Sequence, residues 1–407
     1  MKSICILTQN HISRNPRVFK EVKLLRELGY SVKILTTWYS SDFLQDDLNL
    51  LRDLNVHYQS YADLRPGQPG RLKHRIIFQF FRRIKGYLNI ETVHSAGYGS
   101  TTLIKQALEE KADLYIVHQE IPTLLAKDLI HKGFAVAFDF EDWYSRDLMA
   151  QTRKFRPVQL LEAAEIYALK HGTWCTTTSR ALAQKLYQIS SGKKPPEVIY
   201  NSFSIQERRN LPTYEVKERQ PPIKFAWISQ TIGPGRGLES FIQNIGETGI
   251  PAELHLAGNP RKEYLLDLEN TVQSFTNLTL HLHPIMPPHQ ILSWLHHYHV
   301  GIAYDLPKPE SRNLTVTNKI LHYLLAGLPV IASNTEGHKE IAAACQNTVL
   351  IPSNSEELKQ TLMGWFDGSE NSMEIQRKAW LDGEKFCWEH ESQKLEKLVS
   401  EYFNSIS

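Results

Sequence analysis

Residues 3–35 read SICILTQNHISRNPRVFKEVKLLRELGYSVKIL, and this stretch indicates the fold class. The runs at 3–7 and 32–35 are short and apolar, while the residues between them show helical spacing. Asn15 followed by Pro16 is typical of a helix start, because asparagine caps free N–H groups and proline suits the first helical position. The stretch is therefore predicted to be a β–α–β unit of a parallel sheet.

The alternation of strands and helices recurs along the chain. Further strand candidates in the first half lie at 114–117, 134–138 and 198–200. A charged segment with several prolines at 206–222 interrupts the pattern. Strand candidates resume after it at 224–228, 253–256, 278–282, 300–303 and 329–332.

These segments predict an α/β fold with two Rossmann-like domains, whose parallel sheets face a central cleft where ligands of such folds bind. We assign 1–205 to an N-terminal domain, 206–222 to a linker and 223–385 to a C-terminal domain. The amphipathic helix at 386–407 is expected to pack back on the N-terminal domain.

Composition narrows the class of protein. The chain has 407 residues, 42% hydrophobic and 22% charged, which is typical of a globular protein with two domains. Its formal net charge of +2 gives no reason to expect a nucleic-acid partner, and its four cysteines show no paired spacing for zinc or disulfides. Since it shows neither a membrane-spanning run nor a signal pattern, we predict a cytoplasmic protein.

An anion-binding helix is predicted from 313–330, which reads NLTVTNKILHYLLAGLPV. Asn318, Lys319 and His322 share one face of the predicted helix, beginning at its N-terminus. Free N–H groups and the helix dipole favour an anion there, and Lys319 adds a full charge, so a diphosphate suits the place. The alternative is an ordinary capped helix with a solvated lysine and histidine.

A glycine-rich turn follows the first strand of the second half, where 228–238 reads ISQTIGPGRGL. Gly233, Gly235 and Gly237 permit positive φ and a close backbone approach, and Arg236 offers a guanidinium that grips phosphate oxygens. The alternative is a plain tight turn.

The two segments resemble glycosyltransferase family 4 (group 1), whose members have the GT-B fold. In that family the helix and its preceding loop hold a nucleotide diphosphate, and the basic residue of the glycine turn neutralises the leaving diphosphate. The resemblance implies catalytic roles for Arg236 and Lys319. The family's two glutamates, however, fall at Leu314 and His322. The remaining donor-binding residues that the resemblance implies are Thr231, Gly233, Gly235, Glu310, Asn313, Thr315, Thr317, Asn318 and His322.

The resemblance extends to the N-terminal half. Residues 139–143, DFEDW, are similar to the family's aspartate-serine-histidine-glutamate turn, with Glu141 where the family often has histidine. His118 follows another predicted strand, so both residues are expected at the carboxyl edge of the sheet. His118 and Glu141 are interpreted as catalytic, and the acceptor side is assigned to Asn15, Glu120 and Asp142. The alternative for each is a solvated loop residue.

A basic, amphipathic segment spans 71–87, where arginines and lysines interleave with isoleucines and phenylalanines. Such a segment attaches to an anionic membrane surface or guides a lipid-diphosphate acceptor. Relatives in the resembled family work at the inner membrane on lipid-linked sugars. The alternative is a helix that packs on the core and exposes a basic face.

The predicted function is transfer of a hexose from a nucleoside diphosphate sugar, UDP-sugars favoured, to a glycan or lipid-linked acceptor in polysaccharide biosynthesis. We expect no cofactor and no metal, because Arg236 and Lys319 take the place of a metal ion at the leaving diphosphate. The resemblance implies retention at the anomeric carbon. Three alternatives remain, namely a nucleotide-sugar epimerase, a dinucleotide-dependent oxidoreductase and a non-catalytic glycan-binding protein. Residues 8–15 contain no glycine, which argues against the oxidoreductase.

Overall fold

The computed structural model describes residues 1–192, 194–211, 221–366 and 370–406. The chain divides into two compact units, each with its own parallel sheet. We call them the N-terminal unit (Met1–Ile199 with Ser392–Ser407) and the C-terminal unit (Tyr200–Glu391). This architecture confirms the predicted α/β class. Among the residues described, no helix is both long and apolar enough to span a bilayer.

The sheet of the N-terminal unit has strand order β3-β2-β1-β4-β5-β6-β7. Its strands are β1 (Ser3–Leu7), β2 (Ser31–Trp38), β3 (His57–Asp63), β4 (Leu114–His118), β5 (Val136–Phe140), β6 (Cys175–Thr177) and β7 (Glu197–Val198). The order reverses between β1 and β4, so the loops that follow these two strands diverge and leave a crevice at the carboxyl edge.

The sheet of the C-terminal unit has order β10-β9-β8-β11-β12-β13. Its strands are β8 (Ile223–Ile232), β9 (Ala252–Pro260), β10 (Leu278–His283), β11 (Val300–Ala303), β12 (Val330–Ala332) and β13 (Val349–Leu350). Its order reverses between β8 and β11, and β10 is the edge strand beside β9.

Helices connect the strands in both units. The first nine are α1 (Pro16–Glu27), α2 (Ser41–Leu51), α3 (Arg71–Leu88), α4 (Leu103–Glu110), α5 (Glu120–Leu125), α6 (Lys127–His131), α7 (Ala150–Arg153), α8 (Val158–His171) and α9 (Arg180–Ser190). The others are α10 (Leu238–Glu247), α11 (Lys262–Gln273), α12 (Pro288–Leu295), α13 (Glu310–Leu314), α14 (Asn318–Leu325), α15 (Glu336–Ala344), α16 (Ser355–Trp365), α17 (Glu370–Lys385) and α18 (Trp388–Ser405).

Helix α1 shows how the local sequence produces this packing. Asn15 caps the helix, since its side-chain oxygen accepts a hydrogen bond from the N–H of Val18 at 3.3 Å. Val18, Val22 and Leu25 recur at helical spacing and are fully buried. The apolar stripe of α1 therefore packs on the sheet, as the sequence pattern predicts.

The division between the units differs from the predicted domain boundary. Residues 205–210 form a short 3-10 helix that counts with the C-terminal unit. Arg208 fixes it there, because its guanidinium donates to the carbonyl of Leu325 at 2.8 Å and stacks on the Trp380 ring at 3.7 Å. Of the predicted linker 206–222, residues 212–220 lie outside the described part of the chain.

The last helix, α18, ends on the N-terminal unit. The Tyr402 hydroxyl donates to the carbonyl of Asp113 at 3.0 Å, and the Phe403 ring stacks on Tyr30 with ring centres 5.0 Å apart. Residues from Ser392 onward accordingly count with this unit.

Candidate functional site

A buried carboxylate holds two cations at the carboxyl edge of the C-terminal sheet. Asp305 follows β11 and is 2% exposed. Its Oδ1 lies 3.4 Å from Arg236 Nη1, and its Oδ2 lies 3.3 Å from Lys319 Nζ. The structure thus brings together the two cations to which the sequence analysis assigned the leaving diphosphate. Asp305 itself was not predicted.

Lys319 is the more shielded of the two cations. Its side chain is 13% exposed, and its Nζ lies 5.0 Å from the ring centre of Trp227. Burial lowers the pKa of Lys319, and the carboxylate of Asp305 opposes that shift. An ammonium held away from water in this way interacts more strongly with a neighbouring anion than a solvated one does.

Arg236 belongs to the glycine-rich turn between β8 and α10. Gly235 has φ 84° and Gly237 has φ 69°, a left-handed conformation that glycine adopts without strain. The guanidinium of Arg312, on α13, donates to the carbonyl of Gly235 at 3.1 Å. Arg312 therefore supports the turn and adds a third positive charge, which sequence reasoning missed.

The N-terminus of α14 lies beside these cations, since Lys319 is the second residue of that helix. The Thr317 hydroxyl donates to His338 Nε2 at 3.1 Å rather than capping the helix. His338 in turn donates from Nδ1 to the carbonyl of Ser333 at 3.0 Å. The Ser333 hydroxyl accepts the N–H of Asp305 at 2.9 Å, so one network links the helix start to the backbone of Asp305.

A glycine packs the next helix against the loop before α14. A Cβ on Gly337 would lie 2.2 Å from the carbonyl oxygen of Thr315, a distance that no side chain tolerates. The first turn of α15 therefore lies directly against the backbone at 315–316. This contact holds His338 in place to accept the hydrogen bond from Thr317.

The remaining predicted donor-binding residues differ in their exposure to solvent. Thr231 is near the end of β8, Glu310 begins α13, and Asn318 begins α14; all three are exposed. Thr315 donates its hydroxyl to the carbonyl of Ser311 at 2.8 Å. Two further members, Gly233 and Asn313, are buried and half-buried respectively.

His322 has different surroundings from Lys319. It is buried, and its ring stacks on Phe203 with ring centres 3.8 Å apart. Its Nε2 lies 3.9 Å from Glu207 Oε2. The donor-binding role assigned to His322 stays a prediction, and these contacts link the residue to 203–207 rather than to Asp305.

A cluster of charges lies at the carboxyl edge of the N-terminal sheet. His118 ends β4 and is fully buried. Its Nε2 lies 3.0 Å from Glu21 Oε2, while its Nδ1 lies 3.2 Å from Glu141 Oε1 and 3.3 Å from Asp139 Oδ2. The predicted pair His118 and Glu141 is therefore in contact. Sequence reasoning missed Glu21 and Asp139.

Charge balance decides the protonation of this cluster. Burial opposes a charge on His118, but the charge of Glu21 and the hydrogen bonds to Asp139 and Glu141 outweigh it and raise the pKa of His118 well above its usual value. Burial opposes ionisation of Asp139 as well, yet Arg17 and His118 lower its pKa. His118 is thus held as an imidazolium beside the carboxylates of Glu21, Asp139 and Glu141.

Glu21, His118 and Asp139 are close enough to hold a metal ion, but Arg17 already supplies a cation there. Its guanidinium pairs with Asp139 through Nε and through Nη2, the latter at 2.8 Å, and its Nη1 donates to the carbonyl of Ile199 at 2.7 Å. Arginine on carboxylate in this fork geometry is a strong charge-assisted contact. Two cations, Arg17 and His118, therefore already pair with the carboxylates of this cluster.

The three residues assigned to the acceptor side differ in their contacts. Asn15 donates from Nδ2 to Glu141 Oε1 at 2.9 Å, so it joins the His118 cluster. Glu120 begins α5 and forms an ion pair with Arg156 instead. Asp142 directly follows Glu141 and is half-buried.

The C-terminal unit matches a known protein family. Residues 224–366 match the family model described as glycosyl transferases group 1. The C-terminal unit is a glycosyltransferase group 1 domain. The chain accordingly carries a glycosyltransferase domain, and the resemblance found in the sequence is confirmed for these residues. No curated protein matches the chain by sequence.

Several solved structures share the fold over nearly the full length of the chain. HepE of Anabaena, solved with UDP and glucose, aligns at 15% identity over 98% of this chain and 100% of its own, with a TM-score of 0.65. Sucrose-phosphate synthase of Thermosynechococcus elongatus aligns at 12% identity over 100% of both chains, with a TM-score of 0.65. UDP-GlcNAc 2-epimerase of Neisseria meningitidis, bound to UDP-GlcNAc, aligns at 13% identity over 98% and 100%, with a TM-score of 0.55. The shared fold is GT-B, as predicted.

Proposed function

We propose that this glycosyltransferase moves a hexosyl group from a UDP-sugar to a glycan or lipid-linked acceptor in polysaccharide biosynthesis. The observation that carries the donor assignment is the pair of cations, Arg236 and Lys319, held on the single carboxylate of Asp305. With Arg312, which donates to the same turn from α13, the cations outnumber the carboxylate three to one. The excess of positive charge suits a diphosphate.

The proposed mechanism uses these charges at the leaving group. As the bond between the sugar and the diphosphate breaks, negative charge grows on the diphosphate oxygens. Arg236, Lys319 and the N–H groups at the start of α14 stabilise that charge, because they are already oriented before the reaction. We infer that the transfer needs no metal for this step, and that the sugar retains its anomeric configuration as in the resembled family.

We assign the acceptor to the N-terminal unit, at the edge formed by His118, Glu141 and Asn15. Glu141 is the member of this cluster that solvent reaches, with 18% of its side chain exposed, whereas His118 is fully buried. Glu141 is therefore the group that receives an acceptor hydroxyl, and the imidazolium of His118 orients its carboxylate. Glu120 and Asp142 are assigned to the rim of the same site.

UDP is the proposed nucleotide because HepE, one of the similar structures, was solved with UDP. The test is isothermal titration of the full chain with UDP, GDP, ADP and dTDP, followed by turnover of the sugar forms of the tightest ligand. Tight binding of UDP alone supports the assignment. Equal or tighter binding of another nucleotide contradicts it.

An epimerase is the second candidate, favoured by the similarity to UDP-GlcNAc 2-epimerase over the full length. The two functions differ in their need for an acceptor. Incubation with UDP-GlcNAc alone, followed by NMR of the sugar, separates them. Appearance of the 2-epimer without acceptor would establish the epimerase, while the transferase leaves UDP-GlcNAc intact until an acceptor is added.

We also propose that α3 attaches the protein to an anionic membrane. Leu72, Ile76, Phe80 and Tyr87 recur along one face of this helix, and all four are exposed. This placement argues against the alternative of a core-facing apolar stripe. Arginines and lysines on the same helix supply the attraction to acidic lipid headgroups.

A further inference from the structure

A second group of chemically active side chains lies on the outer strands of the C-terminal sheet. Glu253 and His255 are two residues apart on β9, so both point to the same face. His281 and His283 are placed likewise on β10, and His281 is paired in register with His255. One face of two neighbouring strands therefore presents three imidazoles and a carboxylate.

The contacts within this group are close. His255 Nε2 lies 3.2 Å from Glu253 Oε2, and His255 Nδ1 lies 3.0 Å from His283 Nε2. The rings of His255 and His281 stack with centres 4.5 Å apart and planes 14° from parallel. One donor atom from each of Glu253, His255 and His281 lies within 4.8 Å of the other two.

We propose that Glu253, His255 and His281 bind a divalent cation of the borderline class, with Zn²⁺ as the preferred ion. Two imidazoles and one carboxylate form a donor set that zinc uses in proteins, and metal–ligand bonds of about 2.0 Å place neighbouring ligand atoms roughly 3.3 Å apart. The separation between Glu253 and His255 already has that size. All three residues are half-buried, so the ion has a path from solvent and room for water as a further ligand.

The surrounding side chains support the site. His283 holds His255 through the opposite ring nitrogen, which is how a second contact orients an imidazole ligand. The ring centre of Tyr298 lies 4.8 Å from that of His255, and the ring centre of Trp294 lies 5.2 Å from that of His283, so aromatic rings line one side of the site. The Lys224 ammonium, 3.8 Å from Glu253 Oε2, now balances the carboxylate and is exposed enough to move aside.

This site is separate from the donor site. His255 pairs in register with Ala226, which pairs with Gly301 of β11, whereas Asp305 lies beyond the end of that strand. A metal here cross-links the edge strand β10 to β9 and takes no part in the transfer. It is therefore independent of the proposed function, which stays metal-independent at the diphosphate.

The test is calorimetric titration of the chelator-treated full chain with ZnCl₂, backed by Co²⁺ absorption spectra. We expect about one Zn²⁺ per chain at this site, and at least tenfold weaker binding in His281→Gln and in the near-isosteric Glu253→Gln. His289→Gln, at an exposed histidine on α12, is the matched control and should bind as the native chain does. Circular dichroism checks that each variant is folded.

Two results would overturn the proposal. One is native zinc affinity in both folded site variants. The other is an equal loss of affinity in His289→Gln, which would show that zinc binds exposed histidines in general. Transferase turnover should be the same with and without zinc, so a failure of this site leaves the donor assignment untouched.

Discussion

Replacing Lys319 by methionine tests the charge proposed at the leaving diphosphate. Methionine keeps an unbranched apolar stem beside Trp227 and removes only the ammonium. Since the native ammonium is largely shielded from water, its loss removes a charge-assisted contact in a water-poor site. Such a contact typically supplies about 2.7–4 kcal/mol to the barrier, so the catalytic rate should fall about a hundredfold to a thousandfold.

Exposure predicts a smaller effect at Arg236. Its side chain is 34% exposed, against 13% for Lys319, so solvent screens its charge more. Arg236→Ala should therefore lower the rate less than Lys319→Met, on the order of tenfold to a hundredfold. Lys308→Ala is the control, because Lys308 is an exposed cation in the loop between β11 and α13.

The assay is turnover of saturating UDP-sugar, with UDP affinity measured separately by calorimetry. The rate should fall more than the affinity, because the charge to be stabilised develops in the transition state. Thermal unfolding checks that the variants fold, since Asp305 keeps Arg236 as its partner in Lys319→Met. Native turnover in both site variants, or an equal loss in Lys308→Ala, would refute the assignment.

Three further predictions concern other parts of the chain. Ile76→Glu on α3 should weaken sedimentation with anionic vesicles at low salt. The control Leu266→Glu, at an exposed leucine on α11, should sediment as the native chain does. Equal binding of both variants would contradict the attachment through α3. Gly337→Ala should lower the free energy of unfolding by about 1–3 kcal/mol, because its Cβ has no space, and an unchanged denaturation midpoint would contradict the packing. Burial raises the pKa of Glu165 to about 7 from 4.5. The native state therefore holds a proton that the unfolded chain releases earlier, and stability falls as pH rises from about 4.5 to 7. In Glu165→Gln the thermal unfolding temperature should no longer fall over this pH range. An unaltered pH profile would contradict the raised pKa of Glu165.

The sequence was sufficient where a local pattern determines the structure. The β1–α1–β2 unit is recognisable because its strands are continuous apolar runs and Asn15 caps the helix. Strand β3 was missed because its sequence, HYQSYAD, is largely polar, and its pairing with β2 places it in the sheet. Strands β6 and β13 are too short to show a period.

The partners of the predicted site residues were not accessible from local patterns. Asp305 contacts Arg236 although the two are 69 positions apart in the sequence. The one usable signal for Asp305 was its place just after an apolar strand, where site residues of such folds lie. Arg17 and Glu21 share the buried face of α1 by their spacing of four, but a sequence pattern of valines gives no reason to expect two charges there. Their burial depends on Asp139 and His118, which distant strands supply. The metal donors on β9 and β10 likewise depend on strand register.

A crystal structure of the chain with UDP tests whether the cations held on Asp305 bind the diphosphate of the donor. We expect diphosphate oxygens within about 3 Å of Lys319 Nζ and of the Arg236 guanidinium, next to the first N–H groups of α14. A diphosphate bound away from both cations, with the contacts of Asp305 unchanged, would contradict it.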